Sequence, residues 1–180
     1  MPRTAPVPPT ETPGLYNTSA LFNAQVRDLN KFALAPPIFS AYQAPNQSIP
    51  NNAFTSATLD TERVDSDAGH STVTNTSRYT FQVAGWYLAY GVAAFTVAGA
   101  GARGVKFLTN GTTAVPASEQ IILPGSIATS TVGTFVPVQA NVGDYLELQV
   151  FQNSGGVLST NANLTGWDWA TSMSLFFISN

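Results

Sequence analysis

The sequence predicts an all-β chain, an antiparallel two-sheet sandwich of jelly-roll type, preceded by a short helix and an extended proline-rich arm. Three observations carry that reading. From Ile38 onward, short apolar runs alternate with turns rich in Gly, Pro and Asn. Two of these runs, Gly85-Trp86-Tyr87-Leu88-Ala89-Tyr90 and Gly143-Asp144-Tyr145-Leu146-Glu147-Leu148, open on a glycine turn and feed long strands. In the first run both faces of the strand carry apolar or aromatic groups, so the strand needs cover on both sides. The opposing sheet supplies one cover and a neighbouring subunit the other.

The elements follow in chain order. Residues 1–14 hold Pro2, Pro6, Pro8, Pro9 and Pro13, a density that forbids helix and disfavours a paired strand, so they form an extended arm. Residues 15–37 change period. Asn17, Thr18 or Ser19 can cap a helix in which Phe22, Val26, Leu29 and Ala33 recur on one face with Phe32 on its flank, opposite Asn23, Arg27, Asn30 and Lys31. Such a helix is marginal alone and acts as an anchor or trimerisation element, covered by its own domain, by sister helices or by a socket in a larger structure. Ala35-Pro36-Pro37 ends it as a stiff hinge. Residues 38–180 form the sandwich. Its strands are expected at 38–42, 53–59, 77–83, 86–97, 104–109, 112–115, 119–123, 133–138, 145–151 and 172–178, with 60–76 a polar loop, 98–101 a flexible connection and Asn110-Gly111 a hairpin turn.

A chain of 180 residues accommodates one domain and a short extra segment. Charged residues make up only 9% of it, against about 25% in ordinary soluble proteins, so the surface is largely uncharged and polar. Such a surface gives up charge repulsion as protection from association, which suits a permanent oligomer or particle. The net charge is −3, and the seven Lys and Arg residues are scattered, which argues against a nucleic-acid partner. With no cysteine, the fold has no disulfide and no thiolate, and this is compatible with assembly in a reducing cytoplasm. No signal peptide is visible and no apolar run approaches the ~20 residues of a membrane span, so a soluble protein without a membrane partner is expected.

Little in the sequence serves catalysis. His70 has Asp65, Asp67 and Ser71 nearby, but there is no Gly-x-Ser-x-Gly elbow, and a histidine in a polar loop is more often a hydrogen-bonded surface residue. Asp60, Glu62, Asp65 and Asp67 have the oxygen ligands calcium needs. Yet the acid that should close a loop starting at Asp65 is Thr76, and turn-making with Arg63 or Arg78 as partners is the better account. No cofactor and no metal are therefore assigned. Trp167 and Trp169, flanking Asp168, could offer a sugar platform to a cell-envelope glycan, although alternate tryptophans more often anchor a sandwich.

Gly85-Trp86-Tyr87, the Gly143-Asp144 turn and the closing strand Met173-Ser174-Leu175-Phe176-Phe177-Ile178 resemble the jelly-roll superfamily of complement-type globular heads and tumour necrosis factor. Asp60-Thr61-Glu62-Arg63-Val64-Asp65-Ser66-Asp67, Gly69-His70-Ser71 and Asn75-Thr76-Ser77-Arg78 are similar to phage-encoded versions in minor tail proteins of phages infecting actinobacteria. So is the preceding Asn23-Ala24-Gln25-Val26-Arg27-Asp28-Leu29. The resemblance implies a homotrimer with one sheet of each subunit at the threefold axis, Tyr87, Phe95, Tyr145 and Phe151 standing either there or in the subunit core. The protein is then expected to be a noncatalytic virion component made in the host cytoplasm and held to other virion proteins through residues 1–34. A minor tail role leads; capsid decoration or head fibre, and a carbohydrate-binding module, are the alternatives.

Overall fold

The long strands bury every second side chain, and that parity sorts them into two facing sheets. The computed structural model describes residues 3–7, 9–10, 12, 14, 16, 18–125, 127–162 and 169–180. In chain order the strands are β1 (Ile38–Tyr42), β2 (Ser48–Ile49), β3 (Thr55–Ser56), β4 (Thr61–Asp65), β5 (Arg78–Thr80), β6 (Gly85–Phe95), β7 (Arg103–Thr109), β8 (Thr113–Ala114), β9 (Gln120–Ile122), β10 (Ser130–Ala140), β11 (Tyr145–Gln152), β12 (Leu158–Ser159) and β13 (Ser172–Ser179). The first sheet has the order β10-β6-β13-β1-β4. The second has β3-β11-β7-β8, with β5 also on β11 and β9 also on β7, while β12 and β2 pair separately. Pairing is antiparallel throughout. The all-β jelly-roll expectation holds.

Several segments depart from the sequence reading: the strand expected at 53–59 shortens to β3, and the β2–β12 pair adds two short strands. The polar loop at 60–76 contains β4, an edge strand paired to β1. Its side chains are half-buried or exposed throughout, so no apolar alternation marks it. The strand expected at 77–83 shortens to β5. Phe81 still gives its N–H to the Asp144 carbonyl at 2.8 Å, but the chain then turns toward β6. The connection at 98–101 is pinned rather than free. The fully buried Arg103 guanidinium donates to the carbonyls of Ala98, Ala100 and Ala102 at 2.7, 3.0 and 2.9 Å, satisfying three backbone acceptors at once.

The two glycine turns lock each other at the base of the sandwich. Asn110 and Gly111 both take positive φ, which suits Asn-Gly, and the Asn110 side chain accepts from the Tyr145 N–H and donates to Asp144, each at 2.9 Å. Asp144 also accepts the Asn141 N–H at 2.8 Å, and these bonds hold its carboxyl below the usual carboxylate range.

Residues 19–34 form the expected helix, capped by Thr18, whose hydroxyl accepts the Leu21 N–H. It comprises α1 (Ser19–Phe22), a π-type stretch over Asn23–Asp28, and α2 (Leu29–Leu34). The wider winding breaks the period on which a single apolar stripe depends. Phe32 meets the ring of Phe177 edge-on at 5.1 Å and caps the base of the core, Leu29 is half-buried, and Phe22 and Val26 remain exposed.

The sheets approach closely at Gly91, where a Cβ would lie 2.6 Å from Leu148 Cδ1 and 2.9 Å from Phe107 Cζ. Gly91→Ala is expected to destabilise the fold by about 1–3 kcal/mol through overpacking. In a Leu148→Ala background, which removes the contacting methyls, the same substitution should cost less than half as much. Urea unfolding of the two singles and the double measures this; equal cost in both backgrounds would show that the glycine is not required by that contact.

Candidate assembly interface

On β6, Tyr87, Ala89, Gly91, Ala93 and Phe95 point into the sandwich, so Trp86, Leu88, Tyr90 and Val92 point out. Among the described residues no element closes over the outward set. Trp86, Leu88 and Tyr90 are 38%, 36% and 43% exposed, Phe176 on β13 is 44% exposed and Phe135 on β10 is 72% exposed. Register brings them together. Tyr90 stands opposite Phe135, and Leu88 lies between Pro137 on one side and Phe176 on the other. The result is a three-strand-wide apolar face over β10, β6 and the lower half of β13.

Its border is polar. On β13 and β1, Ser174 donates to Ser40 at 2.9 Å, and the Arg63 guanidinium of β4 lies 4.7 Å over the ring of Tyr42. An apolar centre with a hydroxyl and cation rim is the anatomy of a protein–protein interface.

The residues named from the sequence divide by side-chain parity. Tyr87 and Phe95 are fully buried in the core, and Tyr87 donates its hydroxyl to the Val83 carbonyl at 2.7 Å, burial pushing its pKa up. Tyr145 and Phe151 are half-buried on the outer side of the second sheet, away from the apolar face. The sequence reading missed Trp86, Leu88, Tyr90, Phe135 and Phe176. One signal was available: Ala89-x-Gly91-x-Ala93 has the small side chains that a tight intersheet space requires, which assigns the large alternate ones to the outside. Trp169 is half-buried, while Trp167 and Asp168 lie outside the described residues.

His70 is a structural residue in this geometry. Its side chain is fully buried, with Nδ1 2.8 Å from Glu62 Oε1 and Nε2 3.1 Å from the Thr76 carbonyl, so neither ring nitrogen is left to activate Ser71. The Ser71 hydroxyl instead accepts the N–H groups of Val73 and Thr74. The carboxylates are also committed locally. Asp60 accepts the Ala44 N–H, Asp65 accepts those of Asp67 and His70, and Asp67 pairs with Arg3. Among the described residues no three His, Asp or Glu side chains converge as a metal-ligand set.

Arg3 fastens the arm to the domain. Its Nε and Nη2 donate to the two Asp67 oxygens at 2.6 and 2.7 Å, Nη1 donates to the Ala35 carbonyl, and the guanidinium lies 5.8 Å from the centre of the Phe32 ring. The Arg3 hydrogen bond, above all, holds the Asp67 carboxyl below its usual range. A carboxyl depressed in the folded state stabilises docking fully above its unfolded value near roughly pH 4, and that contribution fades as pH falls through the folded value. The Arg3 Nε–H resonance should therefore move toward its free-chain position only below about pH 4, and in Asp67→Asn it should sit near that position at pH 6. An unchanged resonance in Asp67→Asn would remove the clip as the arm's fastening.

No family model matches the sequence, and no curated protein matches it. Solved structures do match in shape. The globular domain of the zebrafish complement 1qA protein aligns with a TM-score of 0.53 at 14% identity, covering 80% of this chain and 99% of that one. Murine APRIL in its pH 5.0 crystal aligns with a TM-score of 0.56 at 12% identity, covering 79% and 98%, and in its pH 8.0 crystal with 0.54 at 12%, covering 79% and 98%. The chain therefore has the jelly-roll fold shared by complement C1q heads and tumour necrosis factor.

Proposed function

We propose that this protein is a noncatalytic assembly module, a homotrimer of jelly-roll heads packed through the β10–β6–β13 face and mounted on a virion through residues 1–34. The observation that carries the reading is the uncovered cluster of Trp86, Leu88, Tyr90, Phe135 and Phe176. Large apolar side chains grouped on one sheet face mark an association site, whereas other exposed apolar residues, such as Val73, Leu123 and Ile127, stand outside the strands. Domains of this fold commonly form homotrimers and are typically noncatalytic, which supports both the threefold assembly and the absence of an enzymatic role. The helix and arm emerge at the base of the sandwich, beside the C-terminal end of β13, leaving the opposite end for display. The sequence motifs at 60–78 favour a minor tail protein of a phage, near the host surface, over a capsid decoration.

Light scattering behind size exclusion should give three times the 19.0 kDa chain mass for the wild type. Tyr90→Glu combined with Phe135→Glu should give a folded monomer, since both side chains leave the core untouched. A wild type that stays monomeric at micromolar concentration would overturn the assembly. Immunogold microscopy of the particle with an antibody to residues 38–180 separates the sites: label at the tail end supports the tail assignment, and label over the head replaces it with decoration.

A further inference from the structure

On the outer side of the second sheet, away from the apolar face, the 68–75 loop folds over β5 and leaves a polar cleft. Gly69, Ser71, Asn75, Arg78, Thr80 and Gln82 line a cavity of about 350 Å³. Arg78 and Thr80 alternate on β5 with Tyr79, which enters the core, and Gln82 follows beyond the core residue Phe81, so all three project outward. The wall formed by the loop is fixed in advance. Thr80 donates its N–H to the Gly69 carbonyl at 2.7 Å, and the buried His70 ring is held by Glu62 and Thr76.

Arg78 gives the cleft its chemistry. The guanidinium lies 4.6 Å over the Tyr145 ring and makes no ion pair or side-chain hydrogen bond with any described residue. Glu147 stands opposite it in the ladder, but Glu147 accepts the Ser77 hydroxyl at 2.8 Å instead. The Tyr145 ring holds the guanidinium from one side without using its N–H groups, which leaves the donor fork for a planar acceptor. Around it, Gln82 gives its N–H to the Thr80 carbonyl at 3.2 Å, which leaves the Gln82 carbonyl as an acceptor. The Asn75 amide and the Thr80 hydroxyl have no side-chain hydrogen bond among the described residues.

We propose that this cleft binds a carboxylated sugar residue of the hexuronate type, its carboxylate on the Arg78 fork and its hydroxyls on Asn75, Thr80 and Gln82. One cation with Glu147 close by suits a monoanion better than a phosphate dianion or a polyanion. The volume lies at the small end of the range for ligand pockets, room for a single ring. The site is independent of the trimer, because it lies on the other sheet.

The test is saturation-transfer NMR on the full chain with galacturonate and with galactose. Galacturonate should bind saturably, galactose at least about tenfold more weakly, and R78Q should lose at least about tenfold toward galacturonate with an unchanged melting curve. R63Q, which alters a stacked arginine on the other sheet, should bind like the wild type. Should R78Q fail to fold, Q82A is to show at least about a threefold loss. Equal binding of galactose and galacturonate, equal loss in R63Q and R78Q, or no saturable binding by about 10 mM, where an affinity would correspond to under ~3 kcal/mol, would each overturn the assignment. Mass measurement on the same samples reports the trimer separately.

Discussion

The inward phase of Tyr87 is the constraint on which the rest of the structure depends. Tyr87 is one link in a column of rings that crosses the base of the sandwich. Phe32 meets Phe177 at 5.1 Å, Phe177 meets Tyr87 at 5.4 Å, and Tyr87 meets Phe81 at 4.8 Å. The column continues through Tyr79 at 5.5 Å and Phe39 at 4.6 Å to His70 at 5.1 Å. Each contact joins a different part of the chain: helix, last strand, central strand, corner, β5, first strand and the 66–76 loop. Aromatic pairs of this kind contribute about 0.5–1.5 kcal/mol each beyond the area they bury, so together they make the base the best-tied part of the domain. Because Tyr87 must enter this column, Trp86, Leu88 and Tyr90 must leave it, and a shift by one residue would exchange the two faces entirely.

The central strand is therefore lopsided in bulk. Above Tyr87 its inward positions are Ala89, Gly91 and Ala93, and the space they leave is filled from the other sheet by Phe107 and Leu148. Its outward positions carry the large side chains. A monomer gains nothing by holding Trp86, Leu88 and Tyr90 in water, whereas an assembly removes their apolar area at about 25 cal/mol per Å². The asymmetry of one strand thus connects core packing to the proposed association.

Much of this was legible in the sequence. The turns at Asn110-Gly111 and Gly143-Asp144, the long strands beginning at Gly85 and Tyr145, the capped helix and the two-sided character of β6 all follow from local pattern. The phase of β6 did not, because a run such as Trp86-Tyr87-Leu88-Ala89-Tyr90 is apolar on either face and alternation alone cannot choose between them. β4 was hidden for the opposite reason: an edge strand made of Thr61, Glu62, Arg63, Val64 and Asp65 lacks the apolar period that marks a strand. The π winding at Asn23–Asp28 has no composition signal, and it decides that Phe32 rather than Phe22 and Val26 meets the core.

Electrostatics plays a separate and local role. Among the described residues the ion pairs are Arg3–Asp67 and Arg27–Asp28, and His70 is hydrogen-bonded to Glu62, whereas Arg63, Arg78 and Lys106 lie over the rings of Tyr42, Tyr145 and Phe54. A fold with so few charges draws its stability from packing and backbone pairing, which salt hardly screens. The arm is the exception, since a charged clip holds Arg3 to Asp67 at the base. Protonation of Asp67 weakens that clip but leaves the apolar face of β6, β10 and β13 unchanged. The proposed attachment at one end of the molecule and the proposed association through its side thus rest on different chemistry, and a change in acidity acts on the first without acting on the second.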